Sequence, residues 1–346
     1  MIWKNKQFWG TLIAIGLLAF CVKDVTLGEL QSLFRRISWT YLVLSVLSAY
    51  LFAMSRALRW KLMVSKHRPI RLFRCVALYS AGQILNIVMP VLTGQVGRMF
   101  LFARKEGLRK TFVFSAIILE VLFDALSLVT FLFLTSLAFV FPEGYRTLSA
   151  IIAGVTIVIL IGLYLILRFR LRLEECGRRH LRHRWPGAYI VIRKFIRSFT
   201  KGIETLRSSQ HFIGTFMTSL LSWTAHTFAI YFLLMAFDFA LPLAAAAAIM
   251  IINTLALMIP ITPGNAGTFE VAVSASLAAF SVGRSDAVLF AVALHLIDLL
   301  PLFSLGFFYL RLEKVSIREI RTRHQDRTIL DEVTEDGVLI ENGEHV

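Results

Sequence analysis

The chain of 346 residues is 57% hydrophobic with a mean hydropathy of +0.70, which excludes a soluble protein of this size: too little polar surface remains to cover a core. Its net charge of +15 sits in the gaps between long apolar blocks, beside no aromatic–basic readout module; this excludes nucleic acid and points to anionic headgroups. Cys21, Cys75 and Cys176 are spaced for neither a metal nor a disulfide framework.

A membrane-spanning helix needs about 20 mostly apolar residues. Lys4 and Lys6 precede an apolar run at 7–23, and no small-residue cleavage site follows, so the run reads as a retained first helix. A second span is expected at 40–57, closed by Arg56, Arg59 and Trp60. Arginines three apart can grip a phosphate diester, but the favoured reading of this cluster is a headgroup-zone anchor at a helix end. Residues 75–92 form an apolar stretch broken at Pro90, with Gly94, Gly97 and Arg98 behind it.

The span at 111–141 carries Glu120 and Asp124, four apart and therefore on one helix face. A charge at membrane depth costs roughly 2.5–3.5 kcal/mol unless it meets water or a cation. The pair reads as a charge-bearing groove, a proton site or a partner for Arg98. The competing reading is an interfacial position, since Glu120 lies only ten residues past Lys110.

After a span at 147–167 comes a basic segment, 168–210. In it Ile192, Phe195, Ile196 and Phe199 recur at helical spacing among Arg193, Lys194, Arg197 and Lys201, the pattern of an amphipathic helix on an anionic leaflet. Spans at 211–236 and 286–310 flank a second broken stretch, 243–282, with Pro260, Pro263, Gly264 and Gly267 at its break. Thr268 is placed to cap the helix that follows. Its free N–H groups would hold a phosphate, or Glu270 in the first turn would satisfy them. His226, His295 and Asp298 also fall inside spans and read as internal hydrogen-bond formers rather than a proton relay. Residues 313–346 form a polar tail with Asp331, Glu332, Glu335, Asp336, Glu341 and Glu344, expected to be disordered. No zinc spacing, phosphate-binding loop or nucleophile–base arrangement is present in the sequence, so no catalytic residue, metal or cofactor is expected.

Orientation follows from charge. The basic stretches 55–74, 168–207 and 311–323 belong in the cytoplasm, with the nearly uncharged links 142–146 and 237–242 outside and both termini cytoplasmic. The broken stretches 75–92 and 243–282 must then enter from opposite faces, as re-entrant elements or hairpins. They also align without gaps: Pro90, Gly94 and Gly97 fall on Pro260, Gly264 and Gly267, an offset of 170 residues. The expected fold is therefore an all-α polytopic helical bundle with an inverted repeat, about 40–141 and 211–310, within a membrane domain 1–312. Paired breaks of this kind mark a substrate site.

Arg59-Trp60, Asn86-x3-Pro90-x3-Gly94-x2-Gly97-Arg98, Glu120-x3-Asp124 and Pro260-x2-Pro263-Gly264-x2-Gly267-x2-Glu270 occur in this order. Together they resemble the lysylphosphatidylglycerol synthase/flippase transmembrane-region family, over roughly residues 5–312. The aminoacyltransferase domain of the full synthases has no counterpart in the sequence, so a stand-alone member is expected. The resemblance implies translocation of an anionic phospholipid, an aminoacyl-lipid or a polyprenyl-linked substrate in a cytoplasmic (inner) membrane of bacterial or archaeal type. It makes Arg59, Asn86, Pro90, Gly94, Arg98, Glu120, Asp124, Pro263, Gly264 and Glu270 the candidate substrate-binding residues. Rival readings are a membrane transferase acting on a lipid-linked substrate and a non-catalytic partner of a lipid or glycan synthase. Anionic membrane lipids, such a biosynthetic enzyme and a second copy of the chain are the expected partners.

Overall fold

The computed structural model describes residues 15–21, 26–65, 69–88, 93–108, 110–138, 209–257 and 262–312, with single positions at 23 and between 154 and 193. Apart from those single positions, the expected span at 147–167 and the amphipathic helix around Ile192–Phe199 lie outside the described residues, as do Pro90, Pro260 and the acidic tail. The described secondary structure is helical. Its elements are α1 (Leu27–Arg36), α2 (Trp39–Ser65), α3 (Leu72–Val88), α4 (Thr93–Glu106), α5 (Lys110–Ala138), α6 (Ser209–Ala236), α7 (Leu243–Ala256), a 3-10 turn (Pro263–Asn265), α8 (Thr268–Ala278) and α9 (Arg284–Leu312).

Among the described residues, four stretches are long and apolar enough to cross a bilayer: Trp39–Val64, Phe112–Ser136, Gln210–Ala236 and Arg284–Phe308. They leave stripes of large apolar side chains exposed, such as Leu47, Leu51 and Met54 on α2 and Leu296, Leu300 and Phe303 on α9. Water would not tolerate this surface; lipid tails do. The chain is an all-α polytopic membrane protein. By contrast α3, α4, α7 and α8 have 17, 14, 14 and 11 residues. At 1.5 Å per residue these reach about 25 Å or less, short of a hydrocarbon layer about 30 Å thick.

The order long–short–break–short–long occurs twice, α2 to α5 and α6 to α9, and the first long helices begin at Trp39 and Ser209, again 170 residues apart. Those two run antiparallel. The Ser38 N–H donates to the Ala236 carbonyl at 3.0 Å, the Ser45 hydroxyl to the Ala229 carbonyl at 2.7 Å, and Arg59 to Ser219 at 2.6 Å. The long helices also exchange neighbours: α3 packs on α9 and α7 on α5.

The short helices form two hairpin-like elements that start from opposite ends of the bundle. Arg74, early in α3, donates to Glu106, at the end of α4, at 2.6 Å, so the first element returns to the end it left. The second departs after Ala236 and returns before Arg284, at the end where Arg36 pairs with Asp286. Their inner ends meet. The 3-10 turn abuts the end of α3, and a Cβ on Gly264 would sit 3.2 Å from Cγ2 of Ile87. Gly264 has φ +62°, Asn265 +58° and Gly267 +84°, left-handed values that glycine adopts freely and asparagine tolerates; this is why the break holds two glycines and an amide.

Candidate functional site

Among the described residues, two polar clusters lie inside the apolar bundle. The first starts on α2, where the helix does not end at Arg56 as an anchor would but runs on to Ser65. The arginines point inward. The anchor reading fails because these cations find carboxylates on a neighbouring helix: the Arg59 side chain is 0% exposed and donates to Asp124 at 2.7 and 3.2 Å and to Glu120 at 3.2 Å. Arg56 donates to Asp124 at 2.8 Å and to Glu120 at 3.2 Å. Arg98, from α4, ion-pairs with Glu120.

Neutral donors complete the carboxylates. The Trp60 indole N–H donates to Glu120 at 2.8 Å and that of Trp223, on α6, to Asp124 at 3.1 Å. Tyr79 donates to Glu120 at 3.4 Å and accepts from Gln83 at 2.7 Å. The four-residue spacing of Glu120 and Asp124 is what lets one helix face meet all three guanidiniums. The Arg98 guanidinium also stacks over the Trp60 ring at 4.6 Å and the Tyr79 ring at 5.5 Å. Its stem fills the space over Gly82, where a Cβ would come within 2.5 Å of the Arg98 Cγ.

The cluster is not electrically balanced. Among the described residues three guanidiniums face two carboxylates, a surplus of one positive charge. The Nε atoms of Arg56, Arg59 and Arg98 are buried and have no hydrogen-bond partner among the described residues. Arg98 and Glu120 are nearly sealed, whereas the Arg56 and Asp124 side chains keep 21% and 19% of their surface exposed, which marks the open side. Glu120 lies ten residues into α5, about 15 Å from the helix start. That is roughly half the apolar thickness of a bilayer.

The second cluster holds Glu270, which is not gathered with the arginines. One Glu270 oxygen accepts from the Gly267 N–H at 2.7 Å and the other meets His295 Nδ1 at 2.7 Å. The start of α8 is thus satisfied by its own carboxylate and is not free for a phosphate. Thr268 makes no cap; its hydroxyl donates to the Asn265 carbonyl at 2.8 Å, and Gly267 takes the cap position. His295 and Asp298 do not pair with each other across three residues. Asp298 instead meets His226 on α6 at 3.2 Å.

Of the candidate binding residues, Arg59, Arg98, Glu120 and Asp124 come together. Pro263 and Gly264 lie in the 3-10 turn, Gly94 in the first turn of α4, and half-buried Asn86 in the last turn of α3. Tyr79, Gln83, Ser219 and Trp223 escaped the sequence reading. The four-residue step from Ser219 to Trp223 within an apolar span was the available signal.

A family model described as the lysylphosphatidylglycerol synthase TM region matches residues 7–306. No curated protein and no solved structure matches the chain.

Proposed function

The chain belongs to the lysylphosphatidylglycerol synthase TM-region family, and from that premise we propose that it translocates a lipid or lipid-linked headgroup across the membrane. In this reading the α3–α4 and α7–α8 elements are re-entrant halves of an inverted repeat. The end where residues 65, 106 and 110 gather faces the cytoplasm of an inner-type membrane. The headgroup enters beside Arg56 and Asp124, the open side of the arginine cluster. Broken helices suit this work because unwound backbone within a bilayer is tolerated only against protein or a wet cavity.

The observation that carries the proposal is the surplus cation and the three buried Nε–H donors that have no partner among the described residues. An unpaired charge in a low-dielectric site is costly, and an anionic phosphate group offers both the charge and the acceptors. Arginine suits this better than lysine, because its planar fork presents several donors to one anion.

The test is reconstitution in vesicles with acyl-labelled probes carrying anionic phospholipid, aminoacyl-lipid and polyprenyl-phosphate headgroups. The wild-type chain is expected to speed the exchange of at least one probe between leaflets, and Arg98→Gln to slow it by about tenfold, the value of one charge-assisted hydrogen bond. Exchange no faster than in protein-free vesicles for every probe would sink the proposal.

A further inference from the structure

The second hairpin element departs after α6 and returns at α9, and both junctions are tied to the chain that precedes α2. Three consecutive residues at the start of α9 make the ties on the return side. Arg284 donates to the Phe20 carbonyl at 3.4 Å and lies over the Phe20 ring at 5.1 Å. Ser285 hydrogen-bonds Glu29 of α1, and Asp286 pairs with Arg36 at the end of α1. Two residues further on, the Ser38 N–H donates to the Ala236 carbonyl at 3.0 Å, on the departure side. We propose that the segment carrying Phe20, Glu29, Arg36 and Ser38 is a strap that holds the second hairpin closed at this end, with the Arg36–Asp286 pair as its catch.

Apolar contact seats the strap as well. Cys21, next to Phe20, is buried. Ile37, between the catch and Ser38, packs against the second-half core that includes Phe237, Ala287 and Phe290. Asp238 and Ser281 hold left-handed backbone, φ +58° and +60°, where the hairpin departs and returns. Residues other than glycine keep this conformation where neighbouring contacts impose it. The ties at Ala236 and Arg284 fall within three residues of each.

The catch is weak by construction. Arg36 and Asp286 keep 49% and 34% of their side chains exposed, so water and salt compete for both ions. The first hairpin is tied end to end by its own Arg74 and Glu106. A tie from outside the hairpin makes closure of the second one depend on where the N-terminal segment sits.

The inference concerns one end of the bundle and stands apart from lipid movement, so hydrogen exchange tests it without a transport assay. The full chain is placed in lipid nanodiscs. The amides of Phe239 and Val282, which donate to the Leu234 and Leu277 carbonyls at 2.9 and 3.3 Å, report the two junctions. Arg36→Gln is expected to raise exchange at both by about fivefold, the upper end of what an exposed ion pair contributes, with amides in the middle of α6 as the reference. Reversing the pair, in Arg36→Asp/Asp286→Arg, should restore the slow rates. The wild-type chain should show the same joint rise when salt is brought to about 1 M, where the Debye length shrinks to about 3 Å. A rise confined to α1 overturns the proposal, and so do wild-type junction rates that ignore the salt. The salt series needs no variant, so it decides the matter even if Arg36→Gln does not fold.

Discussion

The two halves of the bundle share a scaffold and differ in the charges they bury. In the first half α2, α4 and α5 bring Arg56, Arg59, Arg98, Glu120 and Asp124 together. In the second half the equivalent helices α6, α8 and α9 bring His226, Glu270, His295 and Asp298 together. At the 170-residue offset Arg56 corresponds to His226, but Arg59 falls on Ala229, Glu120 on Phe290 and Asp124 on Leu294. The order of elements recurs, while the polar residues at matching positions differ. One half gathers three guanidiniums against two carboxylates; the other pairs imidazoles with carboxylates.

The sharpest way to break that contrast is to remove one carboxylate from each half. Glu120→Gln leaves three guanidiniums facing a single acid, and breaking a buried pair of this kind costs about 3–5 kcal/mol. Asp298→Asn removes one acceptor of one hydrogen bond and is expected to cost about 1 kcal/mol. Melting temperatures in nanodiscs decide the matter. Equal losses would mean that the two clusters are held by the same physics.

Two glycines separate packing from charge. Gly306, on α9, approaches α3 so closely that a Cβ would lie 2.7 Å from the Ser80 carbonyl carbon and 2.8 Å from the Ala81 nitrogen. Backbone cannot move aside easily, so Gly306→Ala should cost about 1–3 kcal/mol of stability. At Gly82 the Cβ meets the flexible Arg98 stem instead. Gly82→Ala should lower the exchange of anionic probes between leaflets by about tenfold and the melting temperature with it, because pushing Arg98 off Glu120 breaks a buried ion pair. A large stability loss at Gly82 with unchanged exchange would place Arg98 in the packing rather than in the site.

Much of the fold was legible in the sequence, because apolar blocks about 20 residues long and the Pro/Gly breaks are local signals. The partnership of Glu120 with Arg98 was legible too: two acids on one face of an apolar helix require cations. Arg56 and Arg59 were misread, since spacing says where a side chain sits on its helix and not whether the helix continues past it. His226 and His295 found carboxylates on other helices, and no short-range pattern encodes contacts 72 and 25 residues apart. The start of α8 shows the same limit. Thr268 is a good capping residue by type, but the left-handed Gly267 hands that position to the backbone and brings Glu270 round to its N–H.

The smallest expected effect concerns α1, which belongs to neither half and lies outside the spans. Thr26 and Glu29 form a capping box: the Thr26 N–H donates to Glu29 at 2.7 Å and the Glu29 N–H to the Thr26 hydroxyl at 3.3 Å. Donation from the Thr26 backbone, with help from Ser285 and the Thr26 hydroxyl, holds the Glu29 carboxyl below its usual value. A group lowered in the folded state contributes its stability in full above its unfolded value and loses it as the pH falls through the lowered one. Glu29→Gln should therefore weaken the protection of the α1 amides against hydrogen exchange by about two- to threefold at neutral pH, the scale of a weak cap. The gap from wild type should close as the buffer is acidified past the carboxylate range. A gap at α1 that widened in acid would show that the cap does not depend on an ionised carboxylate.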